Sequence, residues 1–298
     1  MAKIFLSALR HSAFYTPYLL TISGGFLKKQ GLDPHYEPAT TQDPLAEKIH
    51  SGRCQVGQSA VATSFAALNR GEEINIVHFA QINCRDGFFI AARNPDPAFT
   101  WENLIGKKIL VDHFFQPYAM LQYGLHKRGI RLQQLDVLDQ GDVVSMEAAF
   151  RSGTGEYIHL QGPTPQQLEY ENIAHVVGSI GDLVGPVAFS SLCADRAWLE
   201  TDMAKNFCGA YQEAVHFAIH TDAREIARLH QAAGFFTQIN EQVLCNTIRA
   251  YQQLGCWQES IAIEPQSYDN LLEVFLFSGL LQRKYAYETA IVPPPSNR

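Results

Sequence analysis

The chain has 298 residues, enough for two ordinary hydrophobic cores or one large one. Hydrophobic residues make up 46% and charged residues 18%, a balance too apolar for disorder and too interrupted for a membrane protein. The 23 basic and 30 acidic residues give a formal charge of -7 without a long run of either sign. That excludes the clustered basic face of a nucleic-acid binder.

No segment reads as a membrane span, which needs about 20 mostly apolar residues. The most apolar stretch, Val176 to Leu192, carries Asp182, glycines and Pro186. At the N-terminus, Ile4-Phe5-Leu6 soon meets Arg10 and His11, too short a run for the core of a signal peptide. With Met1 as its native start the protein is expected in the cytoplasm; a trimmed leader would place it in the periplasm. The six cysteines at 54, 84, 193, 208, 245 and 256 form no Cys-x-x-Cys. They read as buried small hydrophobes, and free thiols fit a reducing compartment.

In chain order, Lys3 to Leu9 reads as a strand, and Pro17 opens a helix that closes near Gly31. A strand follows around His35 to Pro38, then a helix from Leu45 to Gly52. Gln55 to Gly57 is a short strand, Ala60 to Leu68 a helix, and Ile74 to Phe79 and Phe88 to Arg93 are strands. Asn94-Pro95-Asp96-Pro97 is the sharpest punctuation, and a crossing between lobes is expected there. The pattern restarts with a strand at Lys107 to Asp112, a helix at Ala119 to Lys127 and a strand at Leu135 to Leu138. A helix at Met146 to Arg151 and a strand at Tyr157 to Gln161 follow, and Gly185-Pro186 marks a return. From Trp198 onward the segments read as helices. Phe207, Tyr211, Ala214 and Ala218 make one apolar stripe, followed by helices over Ala223 to Ala233, Glu241 to Leu254 and Tyr268 to Gly279. The tail Pro293-Pro294-Pro295 is expected to fray. Strands alternating with helices imply an α/β fold with mostly parallel sheets.

Several segments resemble one known family. Gly25-Phe26-Leu27-Lys28-Lys29-Gln30-Gly31-Leu32 is similar to its opening signature. Ser51-Gly52 with Val56-Gly57, Asn69-Arg70-Gly71 and Leu104-Ile105-Gly106-Lys107-Lys108-Ile109 follow in order. Tyr251, Gly255 and Trp257 match its C-terminal pattern. The family comprises ABC-transporter solute-binding proteins for sulfonates, taurine, nitrate and pyrimidines, with the NMT1/THI5-like thiamine-pyrimidine proteins. The resemblance implies a type II periplasmic-binding-protein fold. Residues 1–93 plus 189–298 would form lobe I and 94–188 lobe II, with hinges near Arg93 and Phe189 and a ligand cleft between the lobes.

In such a fold, ligands meet loops at the C-terminal ends of strands. Five stretches qualify here: Arg10-His11-Ser12 with Phe14-Tyr15, Gln58-Ser59, Arg85-Asp86, His113-Phe114-Phe115-Gln116, and Gln161 with Asp182. The rings of Phe14, Tyr15, Phe114 and Phe115 suit a planar ligand, and Arg10 or Arg85 suits a carboxylate, sulfonate or phosphate. Gln58-Ser59-Ala60 is expected at a helix N-terminus that favours anionic oxygens. His216 and His220 are four apart on one helical face, a metal-ligand spacing without an evident third ligand; neither a metal nor a cofactor is expected.

The expected function is binding of a small planar polar or anionic molecule (a pyrimidine, aromatic acid or sulfonate), with an ABC permease as partner if the protein is exported. The alternative is a cytoplasmic enzyme on the same fold. The thiamine-pyrimidine enzyme needs a lysine, a histidine and a run of cysteines; here the matching positions are Ser59 and Thr63 and the cysteines stand apart. Arg85-Asp86-Gly87-Phe88-Phe89 resembles a motif of the aromatic sulfinate desulfinase, whose nucleophilic cysteine would fall near Ser12, and a serine without a base is a poor nucleophile.

Overall fold

The computed structural model describes residues 1–296. Two five-stranded sheets carry the fold. The first contains β1 (Ala2–Ala8), β2 (Leu32–Tyr36), β3 (Val56–Ser59), β4 (Ile76–Asn83) and β10 (Ser190–Asp195), in the order β2-β1-β3-β10-β4. The second contains β5 (Phe88–Ala92), β6 (Lys108–Val111), β7 (Asp136–Leu138), β8 (Tyr157–Gln161) and β9 (His175–Ser179), in the order β7-β6-β8-β5-β9. In each sheet four strands run one way and one runs against them: β10 in the first, β5 in the second. This is the mostly parallel, two-lobed architecture of a type II periplasmic-binding-protein fold, with helices on the sheet faces and a helical C-terminal region.

Local sequence explains most elements. In β1, Ile4 and Leu6 are buried and Phe5 faces outward, the alternation of a strand with one covered face. Strands β4 and β5 are buried along nearly their whole length, as strands covered on both faces must be. The helix begun at Pro17 stops at Ser23 and a short one resumes at Phe26. The break falls at Gly24-Gly25, where Gly25 has φ +73° and a Cβ on Gly24 would lie 2.5 Å from the Phe26 ring. The stripe Phe207, Tyr211, Ala214 and Ala218 is buried on the helix Asp202–His220, and Tyr211 donates a hydrogen bond to the Gln81 carbonyl at 2.7 Å.

The chain changes sheets earlier than its punctuation predicts. It leaves the first sheet at Asn83 and enters the second at Phe88, so Phe88–Ala92 belongs to the second sheet and not to the lobe assigned to residues 1–93. Asn94 to Pro97 is an exposed turn beyond that strand. The proline-rich signal marks a surface turn, whereas the crossover itself is buried and carries only Gly87 as a breaker. The helix Thr164–Tyr170, strand β9 and the helix Ile180–Val184 complete the second lobe without a clear sequence signal. The helix expected over Ala60 to Leu68 is a 3-10 turn, Val61–Ser64, running into Phe65–Asn69. The C-terminal segment is held as far as Val292, whose N–H bonds the His78 carbonyl at 2.9 Å.

Two residues of the crossover are packed without slack. A Cβ on Gly87 would lie 2.4 Å from the Phe14 ring, which is itself fully buried against Tyr251 and Phe189. Gly87→Ala is therefore expected to lower stability by about 1–3 kcal/mol, read as a lower urea midpoint; an unchanged midpoint would mean that the Phe14 ring is free to move. Asp86 is fully buried, with Oδ1 accepting from the Phe88 N–H at 2.6 Å and Oδ2 without a partner. Burial, reinforced by the charge of Asp112 and opposed by the Phe88 hydrogen bond, pushes its carboxyl up to about 8. The folded state then holds a proton that an unfolded chain releases above about pH 4. The stability gained is complete below that pH and is lost as pH rises toward 8. Asp86→Asn removes this titration, so between about pH 5 and pH 7 it is expected to gain roughly 1–3 kcal/mol on the wild type in urea denaturation. Parallel profiles would show that Asp86 is ionised in the fold.

Candidate functional site

Parallel pairing of β1 and β3 brings their C-terminal ends together, with Ala8 opposite Gln58. Leu9 and Arg10 therefore emerge beside Gln58 and Ser59, and the Leu9 N–H bonds the Gln58 carbonyl. In the second sheet, antiparallel pairing sets Phe88 opposite Gln161. The two groups of strand ends face each other across a cavity of about 210 Å³, closed on the second-lobe side by the start of the helix Phe115–Lys127.

The walls are mainly apolar: Leu9, Phe88, Phe114, Phe115, Pro117 and Phe189. Polar side chains are as numerous in the lining, and several are already tied. Gln116 donates to the Phe189 carbonyl at 2.8 Å, Gln58 donates to the Ser59 carbonyl at 3.1 Å, and the Ser59 and Thr63 hydroxyls pair at 3.1 Å. Tyr15 is buried in the wall. Burial pushes its phenol above the ordinary value, against the opposing pull of the Arg10 charge and of hydrogen bonding with Gln161. Arg10 is the single charged side chain among the described lining residues. Its guanidinium lies 4.5 Å from the centre of the Phe114 ring, so a first-lobe cation stacks on a second-lobe aromatic across the cleft. Phe114 is otherwise 59% exposed.

Of the residues singled out in the sequence, Arg10, Tyr15, Gln58, Ser59, Phe114, Phe115, Gln116 and Gln161 line this cavity. The others lie elsewhere. Phe14 is core, as described. His11 stacks on Phe236 at 4.5 Å and meets the Tyr36 hydroxyl at 3.1 Å. Ser12 caps the 3-10 turn Ala13–Tyr15 by accepting the Phe14 N–H. Arg85 donates to the Gly181 carbonyl and faces Asp182 at 3.6 Å, while Asp182 accepts from Ser179 at its own helix start. These two lie beside one another, outside the cavity lining. Asp86 is the buried acid of the crossover. His113 sits 2.8 Å from the Val111 carbonyl with its ring on Tyr118.

The lining also includes Ala60, Thr63 and Pro117 beside the expected residues, and Leu9, Phe88, Phe189 and Ser190. The last two belong to the return crossover and β10, a strand the sequence does not announce. All six cysteines are buried, and burial raises the thiols of Cys54, Cys84, Cys193, Cys208 and Cys256. Away from the cleft, His216 and His220 do have a third neighbour, Glu259, which sequence spacing cannot reveal.

Comparison with known proteins agrees with this architecture. The family model described as NMT1/THI5 like matches residues 13–224. A relative from Bacillus subtilis (strain 168), YtlA, carries the name of a binding protein and is 25% identical over 295 residues, covering 98% of this chain and 88% of its own. The periplasmic aliphatic sulphonate binding protein SsuA of Escherichia coli superposes with a TM-score of 0.73 at 15% identity, covering 100% of this chain and 94% of that one. The alkanesulfonate-binding protein SsuA of Xanthomonas axonopodis pv. citri, bound to MOPS, superposes at 0.70 with 14% identity, covering 98% and 99%. With a match over most of its length and the two-lobed fold of the solute-binding proteins of ABC import systems, this chain belongs to the NMT1/THI5-like family.

Proposed function

We propose that the protein binds a small, flat, largely apolar organic molecule bearing one anionic or strongly polar group, and closes its lobes over it. Aromatic acids, sulfonates and pyrimidines fit this description. The observation that carries the reading is the cavity itself: aromatic walls from both lobes, with Arg10 as the one charge among the described lining residues. An aromatic ligand can slot between Phe88, Phe114 and Phe189, each ring pair adding about 0.5–1.5 kcal/mol beyond area burial. Arg10 supplies a charge-assisted hydrogen bond, and Tyr15 and Gln161 stand beside it. The names of the relatives support binding as the activity, and the sulfonate carried by the Xanthomonas protein supports an acid group on the ligand. In an exported form the partner would be an ABC permease.

The lining also supports a ligand that leaves unchanged. The cavity hydroxyls Ser59 and Thr63 pair with each other and with no base, so neither is activated for attack. A thiol nucleophile needs a lowered value and exposure; all six cysteines are buried, and the thiols of Cys54, Cys84, Cys193, Cys208 and Cys256 are raised.

A thermal-shift panel of aromatic acids, sulfonates and pyrimidines, with each compound recovered and weighed by mass spectrometry, tests this reading. An intact ligand in hundredfold excess over Kd should raise apparent stability by about 2.7 kcal/mol; a compound recovered as a different product would replace binding with catalysis. Arg10→Ala should weaken an acidic ligand by about 10–150-fold, the range of a charged hydrogen bond, and change a neutral analogue little. Phe114→Ala should weaken either ligand about threefold to tenfold while leaving the urea midpoint unchanged, because its ring is largely exposed. Wild-type affinity in both variants would move the site away from this cavity.

A further inference from the structure

We propose that His216, His220 and Glu259 form a second ligand site, for a divalent transition metal with zinc foremost, on the outer face of the first lobe. The two histidines lie one turn apart on the helix Asp202–His220, and both turn toward one carboxylate. His216 Nδ1 is 3.2 and 3.3 Å from the two oxygens of Glu259, and His220 Nε2 is 2.5 Å from Oε1. The three ligand atoms all lie within 4.8 Å of one another. Around a tetrahedral zinc with bonds of 2.0–2.1 Å, donor atoms stand about 3.3 Å apart. The His216 separation already has that value, and a small rotation of the exposed His220 side chain opens the other.

The carboxylate is placed by more than its own rotamer. Gln212, one turn before His216, donates to the Glu259 carbonyl at 2.6 Å and pins the loop to the helix. Further along the same loop, Gln81 N–H bonds the Ile261 carbonyl, and before it Cys84 N–H bonds the Cys256 carbonyl. The loop thus has fixed points on both sides of Glu259. No lysine or arginine among the described residues forms an ion pair with this carboxylate; its partners are the two imidazoles. Two imidazoles and a carboxylate make a borderline donor set suited to zinc, nickel or copper rather than to calcium or magnesium. All three side chains are exposed, so a bound ion keeps open positions for water.

The test uses untagged full-length protein stripped with a chelator and titrated with zinc against a chromophoric competitor. One equivalent should bind to the wild type. His216→Ala, His220→Ala and Glu259→Gln should each weaken binding at least tenfold, with circular dichroism confirming that these surface variants keep the fold. Cobalt should give the absorption bands of a nitrogen- and oxygen-ligated ion, lost in His220→Ala. Absence of zinc binding by the wild type, or wild-type affinity in all three variants, would overturn the site; the latter would assign the metal to other side chains.

Discussion

The arrangement of both lobes depends on Asn83, a fully buried amide at the point where the chain passes between them. Its Nδ2 donates to Ser190 Oγ at 2.7 Å, and its Oδ1 accepts from the Trp257 indole at 2.9 Å. Its backbone carbonyl accepts from Phe189 N–H and from the Gln81 side chain. One residue therefore ties the outgoing crossover to the returning one and both to the C-terminal loop. Val187 N–H to the Cys84 carbonyl adds a backbone bond between the same two segments. A buried amide with an unmade bond costs about 1–3 kcal/mol, so a network in which both side-chain polar atoms and the carbonyl of Asn83 have partners defines this path for the chain closely.

That knot explains the cavity. The outgoing crossover delivers Phe88 and the returning one delivers Phe189 and Ser190, so both connecting segments also form the cavity wall. Strands β5 and β10 are the two that run against their sheets, because each begins just after a passage from the other lobe. Arg10 and Phe114, stacked across the cleft, lie on opposite sides of these short, hydrogen-bonded connecting segments.

Much of the fold was legible because βα alternation is a local signal. The strand Tyr157–Gln161 and the helical stripe of Phe207 and Tyr211 follow from periodicity alone. The lobe boundary was not, because the proline cluster at Asn94 to Pro97 marks a solvent-facing turn while the true passage is lined by buried residues. Strand β10 was missed for a related reason: Ser190-Ser191-Leu192-Cys193 has little alternation, and its pairing with β3 and β4 is entirely long-range. For the site, motif position found the loops but not which way each side chain points. Phe14 and Phe114 carry the same ring in comparable loops. Phe14 follows a capped 3-10 turn into the core, whereas Phe114 precedes a helix and is left in the cleft. Arg10 and Arg85 divide in the same way, since Arg85 finds Gly181 and Asp182 within reach.

The proposed preference for an acidic ligand rests on a charge that the cavity lining does not balance. Gln116 and Gln58 direct donors to backbone carbonyls, and the Ser59 hydroxyl pairs with that of Thr63, which donates to the Ala60 carbonyl. Arg10 is left with an aromatic face on one side and the cavity on the other. No carboxylate is among the described lining residues, so a cationic ligand would be desolvated beside a like charge without compensation. A neutral ligand escapes that penalty, and an acidic one turns the same field into attraction. Under the proposed binding role, a drier and less polar cavity would widen the gap between the three cases, the apolar walls discriminating by shape and the single guanidinium by the sign of the charge.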